Sequence, residues 1–391
     1  MTGPTRPGPD GPHHHRPDEQ LLSGESVLGV IDDPPGEVSR QEMAEQLSLV
    51  SRLRRPRTII SIAVPLLLLV LVVVSLPGFK LTELPGKILA ANPLLLVAAF
   101  AIYYLGFPLR GLRWAMLIRG AGSSLRTRDA TEIIFISWLV NCLVPAKLGD
   151  IYRAYLLKIN SEVSLSRTFG TVFIERVLDL FAIVLLALAS GFVSFREGLK
   201  NEVRIVFAVG IGVVILLLAG LLTLRNFGRR VITRLPLPHR VLDLYDRFEE
   251  GVFRAIGLRA LPGLVVITGL VWATEGIRLY LVIEALGFPD VHLGVSGAFF
   301  VALAGSLLTA VPLTPAGLGI VELGVVGLLT VVYGVPATEA GAIVLVDRAI
   351  SVLSIIVLGA VAYVVSPLRR GRGLRNAERP DSTPPSRPAP T

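Results

Sequence analysis

The stretch Asn141-Cys142-Leu143-Val144-Pro145-Ala146-Lys147-Leu148-Gly149-Asp150-Ile151-Tyr152-Arg153 is followed, inside a second apolar run, by Glu175-Arg176-Val177-Leu178-Asp179. Lys147, Asp150, Arg153, Glu175, Arg176 and Asp179 thus sit among side chains that avoid water. Soluble proteins seldom bury so many charges together, and membrane spans carry them mainly where they serve a pathway or a ligand. The stretch therefore predicts a polar cavity inside a bilayer.

The surrounding composition supplies the bilayer. The chain has 391 residues, 52% hydrophobic and 17% charged, with a mean hydropathy of +0.66, and its apolar residues come in runs near the length of a membrane span. A soluble multidomain protein does not need such runs. One cysteine, Cys142, excludes an internal disulfide and a cysteine-based metal cluster. The net charge of +8 is concentrated in a few connecting segments, which is how membrane proteins are oriented, and no nucleic-acid-binding module is visible. The tract His13-His14-His15 lacks partners at metal-binding spacing and reads as part of a solvated tail.

Charge asymmetry orders the spans. Residues 1–56 form a Pro-, Gly- and charge-rich tail predicted to be disordered, with a short interfacial helix compatible with Met43 to Leu53. Arg52, Arg54, Arg55 and Arg57 precede the first run, Thr58 to Leu76, and place the N-terminus in the cytoplasm. The run Pro93 to Leu109 leads back to an inner segment holding Arg110, Arg113, Arg119, Arg126 and Arg128. Thr131 to Val144 is too short to cross ~30 Å of hydrocarbon as a helix, and the segment after it is again basic, so a re-entrant hairpin is expected. Thr168 to Val193 crosses outward, and Ile205 to Leu224 returns to a loop, Arg225 to Arg259, with eight arginines. Pro262 to Leu286 crosses outward once more. Leu293 to Val311 and Leu318 to Val332 fit either two spans or a second hairpin, and Thr338 to Val365 brings the chain in. Residues 366–391 are expected to be a disordered basic cytoplasmic tail, leaving 57–365 as the membrane domain.

Two colinear sets of motifs suggest an internal repeat. Arg113 with its following residues parallels Arg278, Pro145 to Gly149 parallels Pro315 to Gly319, and Glu175-Arg176 parallels Asp347-Arg348. The positive-inside assignment runs the paired helices in opposite directions, so the units are expected to be inverted, a recurring plan of secondary transporters. The fold class expected is an all-α polytopic membrane protein of two inverted repeats, with broken or re-entrant helices around a midplane polar cavity.

An arginine at a helix centre costs about 2.5–3.5 kcal/mol on insertion scales. Arg176 and Arg348 therefore need partners, which the sequence offers in Glu175, Asp179 and Asp347. Such pairs can be purely structural. As a binding set, Arg153, Arg176 and Arg348 suit a lipid phosphate through paired hydrogen bonds, with Lys147 as a mobile point charge. Backbone N–H groups freed at the two breaks would add donors. Asp150, Glu275 and Glu322 suit a cationic moiety or a proton. No Gly-rich phosphate loop, metal-spaced set or Ser/His/Asp arrangement is present, so no catalytic residue, metal or cofactor is expected.

Taken together, Arg113-Trp114, the pattern N-x-x-x-P-A-K-x-G-D-x-Y-R from Asn141 to Arg153, Glu175-Arg176-x-x-Asp179 and P-x-T-P-A-G-L-G-I-V-E from Pro312 to Glu322 resemble the transmembrane region of the lysylphosphatidylglycerol synthase family, the flippase-like domain. The resemblance spans about residues 57 to 365. It implies movement of a phospholipid between leaflets of the cell membrane, with both termini cytoplasmic. The binding set expected from the placement of charges, the repeat and these motifs together is Arg113, Asn141, Lys147, Asp150, Arg153, Glu175, Arg176, Asp179, Arg278, Glu322, Asp347 and Arg348. After Val365 the sequence leaves no room for an aminoacyl-transfer domain, so the chain is not expected to make that lipid itself. An anionic phospholipid, an aminoacyl lipid and a polyprenyl-phosphate sugar all stay open as partners, as does a homo-oligomer. Two other readings stand beside this one: an embedded enzyme for lipid-linked sugars with Asp150, Glu175 and Asp179 as acid/base groups, and a scaffold for cell-envelope enzymes.

Overall fold

The computed structural model describes residues 80–144, 147–161, 163–196, 201–234, 239–257, 259–309 and 314–370. The expected span Thr58 to Leu76, the interfacial helix, the tail 1–56, residues 371–391 of the other tail, and Pro145, Ala146, Pro312 and Leu313 of the motifs lie outside the described residues, whereas Ser366 and Leu368, expected in the disordered tail, are ordered and buried. Within them the chain is helical, with no strand.

A short helix α1 (Leu84–Leu89) leads into α2 (Pro93–Gly120), α3 (Thr127–Leu143), α4 (Leu148–Asn160), α5 (Leu165–Ser194), α6 (Asn201–Arg234), α7 (His239–Phe253), α8 (Leu261–Leu286) and α9 (Gly294–Leu308). Then come α10 (Ile320–Val332) and α11 (Ala337–Val365). Among the described residues, α2, α5, α8 and α11 are long and apolar enough to cross a membrane. Their outward faces carry exposed Leu94, Leu185, Val265 and Val357, while Arg113, Glu175 and Glu275 are buried. Apolar outside and charged inside is the arrangement that lipid, not water, rewards.

Local chemistry sets the helix ends. Asn92 caps α2, its side chain accepting from the Leu94 N–H at 3.0 Å, and Pro93 stands where no donor is needed. Ser164 caps α5 by accepting from the Arg167 N–H. The hairpin α3–α4 closes because Asn141 Oδ1 accepts from the Gly149 N–H at 2.8 Å and Ser137 Oγ donates to the Gly149 carbonyl at 2.8 Å. The two helices approach so closely there that a methyl added at Gly149 would lie 2.1 Å from the Ser137 carbonyl oxygen. Lys147, just before α4, has a left-handed backbone, φ 51°. The break before α10 is of the same kind, with Ala316, Gly317 and Gly319 all at positive φ. The Gly319 N–H there donates to Glu322 Oε2 at 2.6 Å.

Contacts between helix termini define two ends of the bundle. At one, the Asn92 N–H donates to the Ala285 carbonyl, Lys87 pairs with Glu339, and Ser194 meets Tyr333. At the other, Ser366 donates to Glu132, Asn160 donates to the Leu368 carbonyl, and Gly170 of α5 touches Gly251 of α7. The hairpin α3–α4 therefore has its two free ends at the second end, and α9–α10 at the first. Both breaks fall in between, and α3 packs against the Pro315–Gly317 turn.

Two expectations need correction. Arg110 and Arg113 are not in a connecting segment: α2 runs to Gly120 and buries both, at 4% and 1% exposure. Much of the basic "loop" from Arg225 to Arg259 is helical, since α6 continues to Arg234 and α7 covers His239–Phe253. Both α10 and α11 also contain a wide π-turn, at Leu328–Val332 and Ala349–Leu353. The second directly follows Asp347-Arg348, and the Tyr103 hydroxyl donates to the Ser351 carbonyl there. Such turns often stand at functional sites and leave no mark in hydropathy.

Candidate functional site

Six arginines and six carboxylates pair one to one in the middle of the bundle. Arg110 of α2 donates to Glu275 of α8 at 2.6 Å, and Arg113 of α2 to Asp179 of α5 at 2.6 Å. Arg153 of α4 holds Glu175 of α5 at 3.1 Å, and Arg176 holds Asp150 of α4 at 2.9 Å. Arg278 of α8 holds Asp347 of α11 at 2.8 Å, and Arg348 of α11 holds Glu322 of α10 at 2.9 Å.

Secondary contacts knit these pairs together. Arg113 also reaches Glu175 at 3.1 Å and Thr268 at 3.2 Å, while Asp179 accepts from the Trp272 indole at 3.0 Å and from Arg176 at 3.2 Å. Arg278 also pairs with Glu275 one helical turn away. Arg176–Asp150 and Arg278–Asp347 are forked, two guanidinium nitrogens meeting two carboxylate oxygens, the strongest form of such a pair. Aromatic faces cover the cations: Trp138 lies 4.8 Å from Arg110, Trp114 4.9 Å from Arg153 and Tyr103 5.0 Å from Arg278. The rings shield charge from the bilayer while still attracting it.

These pairs surround a cavity of about 190 Å³. Its charged and amide lining residues are Arg110, Arg113, Asn141, Lys147, Glu175, Arg176, Asp179, Glu275, Arg278, Asp347 and Arg348. Six cationic side chains thus face four carboxylates, and the cavity wall is net positive. Leu279, Ala302, Val321, Val325, Val344 and Val352 also line it. Asp150, Arg153 and Glu322 stand behind the lining as counter-charges to Arg176, Glu175 and Arg348.

All twelve residues singled out from the sequence therefore converge on the cavity or on the pairs behind it. Asp179 serves Arg176 as expected, but the other partners differ from the expected ones. Adjacent charges were expected to serve each other, yet Arg348 pairs with Glu322 and Asp347 with Arg278. Successive residues on a helix point about 100° apart, so neighbours in sequence serve different neighbours in space. Arg110 was missed altogether, because it was counted among the orienting charges. Its signal was the helical spacing Arg110-x-x-Arg113 on a helix whose apolar run continues past both.

Lys147 stands apart from the pairing. Among the described residues of the cavity it is the cation without a carboxylate within 4.0 Å, because both Asp150 oxygens are engaged by Arg176. Thr314, at the other break, also lines the cavity, and its hydroxyl is buried without a hydrogen-bond partner.

The family model of the lysylphosphatidylglycerol synthase TM region matches residues 58–359, and the chain belongs to that family. A UPF0104 membrane protein of Methanocaldococcus jannaschii is 37% identical over 228 residues, covering 58% of this chain and 93% of the relative. Another, from Methanothermobacter thermautotrophicus, is 28% identical over 291 residues, covering 69% of this chain and 83% of the relative. The glycosyltransferase AglD of Haloferax volcanii is 28% identical over 356 residues, which is 82% of this chain but 56% of AglD.

Proposed function

We propose that this multi-pass membrane protein carries a lipid with an anionic head group between leaflets, with the charged cavity as the head-group site and the twelve residues above as its binding set. The observation that carries this reading is the mixed lining of the cavity. Cationic and aliphatic side chains line the same cavity, and a polar head with an apolar tail is the ligand that meets both.

The architecture is read as two inverted units. A long helix, a short helix, a break, a short helix and a long helix occur as α2 to α5 and again as α8 to α11. The two hairpins open toward opposite ends, and the left-handed positions Lys147 and Gly317 occupy the same register after Pro145 and Pro315. That combination supports re-entrant hairpins meeting near the midplane, and two units that rock about a central site. Arg119, Arg126, Arg128, Lys158 and Arg167 lie toward the second end, which the positive-inside rule assigns to the cytoplasm.

Purified protein in proteoliposomes should accelerate exchange of at least one anionic lipid over protein-free vesicles, and Arg176→Lys and Arg348→Lys should slow it. No acceleration of any phospholipid or polyprenyl-phosphate lipid would refute the reading. A second reading, chemistry on lipid-linked sugars, is favoured by the likeness to AglD. It requires a covalently altered lipid, visible by mass spectrometry, and the match leaves the remainder of AglD without a counterpart in the aligned segment.

A further inference from the structure

We infer that the cavity selects a head group of one negative charge, a phosphodiester, and rejects the dianion of a phosphomonoester, with Lys147 as the counter-charge that decides it. This rests on the translocation reading and narrows its substrate class. Charge balance at low dielectric decides the selection. Each arginine at the site has its own carboxylate, so those twelve groups sum to zero, and Lys147 is the cation left over. The residues beside the two breaks that the structure does not describe are Pro145, Ala146 and Ala310 to Leu313, and none carries charge.

One incoming negative charge therefore completes the site, and no carboxylate has to move. A second would put two anions on one guanidinium, whether it displaces a carboxylate or joins it at a free donor such as the buried, unpartnered Nη1 of Arg110, and that excess charge away from water is strongly unfavourable. The forked pairs of Arg176 and Arg278 oppose displacement most, since each would give up two hydrogen bonds. Lys147 itself places no demand on geometry, having three rotatable donors on a flexible stem. The unpartnered Thr314 hydroxyl supplies a donor for a further phosphate oxygen from the opposite break.

A monoester loses its second proton near pH 6, whereas a diester keeps a single charge across the neutral range. The test uses matched lipids with the full-length protein in proteoliposomes: phosphatidylglycerol against phosphatidic acid, and a polyprenyl-phosphate sugar against the bare polyprenyl phosphate. Within whichever pair is exchanged, the diester is expected to move about tenfold faster or more near pH 7.5, the loss equivalent to one charge-assisted contact. The monoester should gain as pH falls to about 5.5, where it becomes a monoanion, while the diester rate stays flat. Lys147→Gln should remove most of the diester exchange, and Lys147→Arg should restore it. Equal or faster exchange of the monoester near pH 7.5, or wild-type behaviour of Lys147→Gln, would overturn the charge assignment and leave translocation standing. Exchange of neither member of either pair would overturn translocation and the assignment with it.

Discussion

Glu175 is an acceptor shared by two arginines, and replacing it with glutamine isolates one of them. Its carboxylate, 3% exposed, takes Arg113 Nη2 at 3.1 Å and Arg153 Nη1 at 3.1 and 3.2 Å. In Glu175→Gln, Arg113 keeps Asp179 at 2.6 Å, but Arg153, 2% exposed, keeps only Asp150 at 3.8 Å, and Asp150 already serves Arg176. The variant thus leaves a nearly uncompensated guanidinium against Trp114. Removing one partner of a buried pair costs about 3–5 kcal/mol, so the fraction of molecules open at this site should rise by about two to four orders of magnitude. The lone cysteine provides the readout, because Cys142 is buried at 4% exposure and its reaction with a maleimide reports opening of this region. Labelling should accelerate accordingly in Glu175→Gln, and Glu175→Gln with Arg153→Met should recover most of the loss by removing the stranded charge. If the single variant labels like the parent, or the double variant fares no better than the single, Arg153 and Glu175 do not depend on each other as described.

Gly149→Ala should destabilise by about 1–3 kcal/mol as an overpacked contact, because its methyl meets the Ser137 carbonyl oxygen and forces α3 from α4; a lower melting temperature with faster Cys142 labelling checks this. Arg110→Gln and Arg126→Gln, equivalent on the orienting-charge reading, should separate: the first leaves Glu275 with Arg278 alone and costs about 3 kcal/mol, while the second, at an exposed position, stays within about 0.5 kcal/mol of the parent. Equal thermal stability of the two would return Arg110 to the surface.

Spans and breaks were legible in the sequence because lipid imposes a length and a polarity on each helix, and Pro-x-Gly clusters mark where a helix stops. The order of the long helices and the short hairpin Thr127–Leu143 to Leu148–Asn160 followed from those signals. So did the convergence of charges, since an ionised group in an apolar run must find a partner. Partner identity was not legible. Arg113 meets Asp179 across sixty-six residues of chain and Arg110 meets Glu275 across one hundred and sixty-five, and periodicity carries no information on contacts between helices that are not neighbours in sequence. Arg110 and Arg113 were misplaced for a related reason. Positive charge near a span end orients a helix when it is exposed and binds a carboxylate when it is buried, and hydropathy alone does not separate the two.

The distribution of polar contacts between the two helix sets bears on motion. Arg153–Glu175 and Arg176–Asp150 lie within α2 to α5, and Arg278–Asp347 and Arg348–Glu322 lie within α8 to α11. Between the sets run Arg110–Glu275, Trp272–Asp179 and Arg113–Thr268. Two units rocking against each other would keep the internal pairs and remake the crossing ones. Thr268 is the cleanest place to test this, because it is 1% exposed, does not line the cavity, and offers Arg113 a hydroxyl at 3.2 Å while Arg113 keeps Asp179. Thr268→Val removes that acceptor at nearly constant volume, for a cost of about 1.5–3 kcal/mol as a hydrogen bond to a charged group. If the contact distinguishes one state of the cycle from another, lipid exchange should change severalfold while head-group affinity, measured on the detergent-purified protein, holds. Unchanged exchange with weakened binding would place Arg113 and Thr268 in the head-group site itself and remove the reason for treating the two sets as moving bodies.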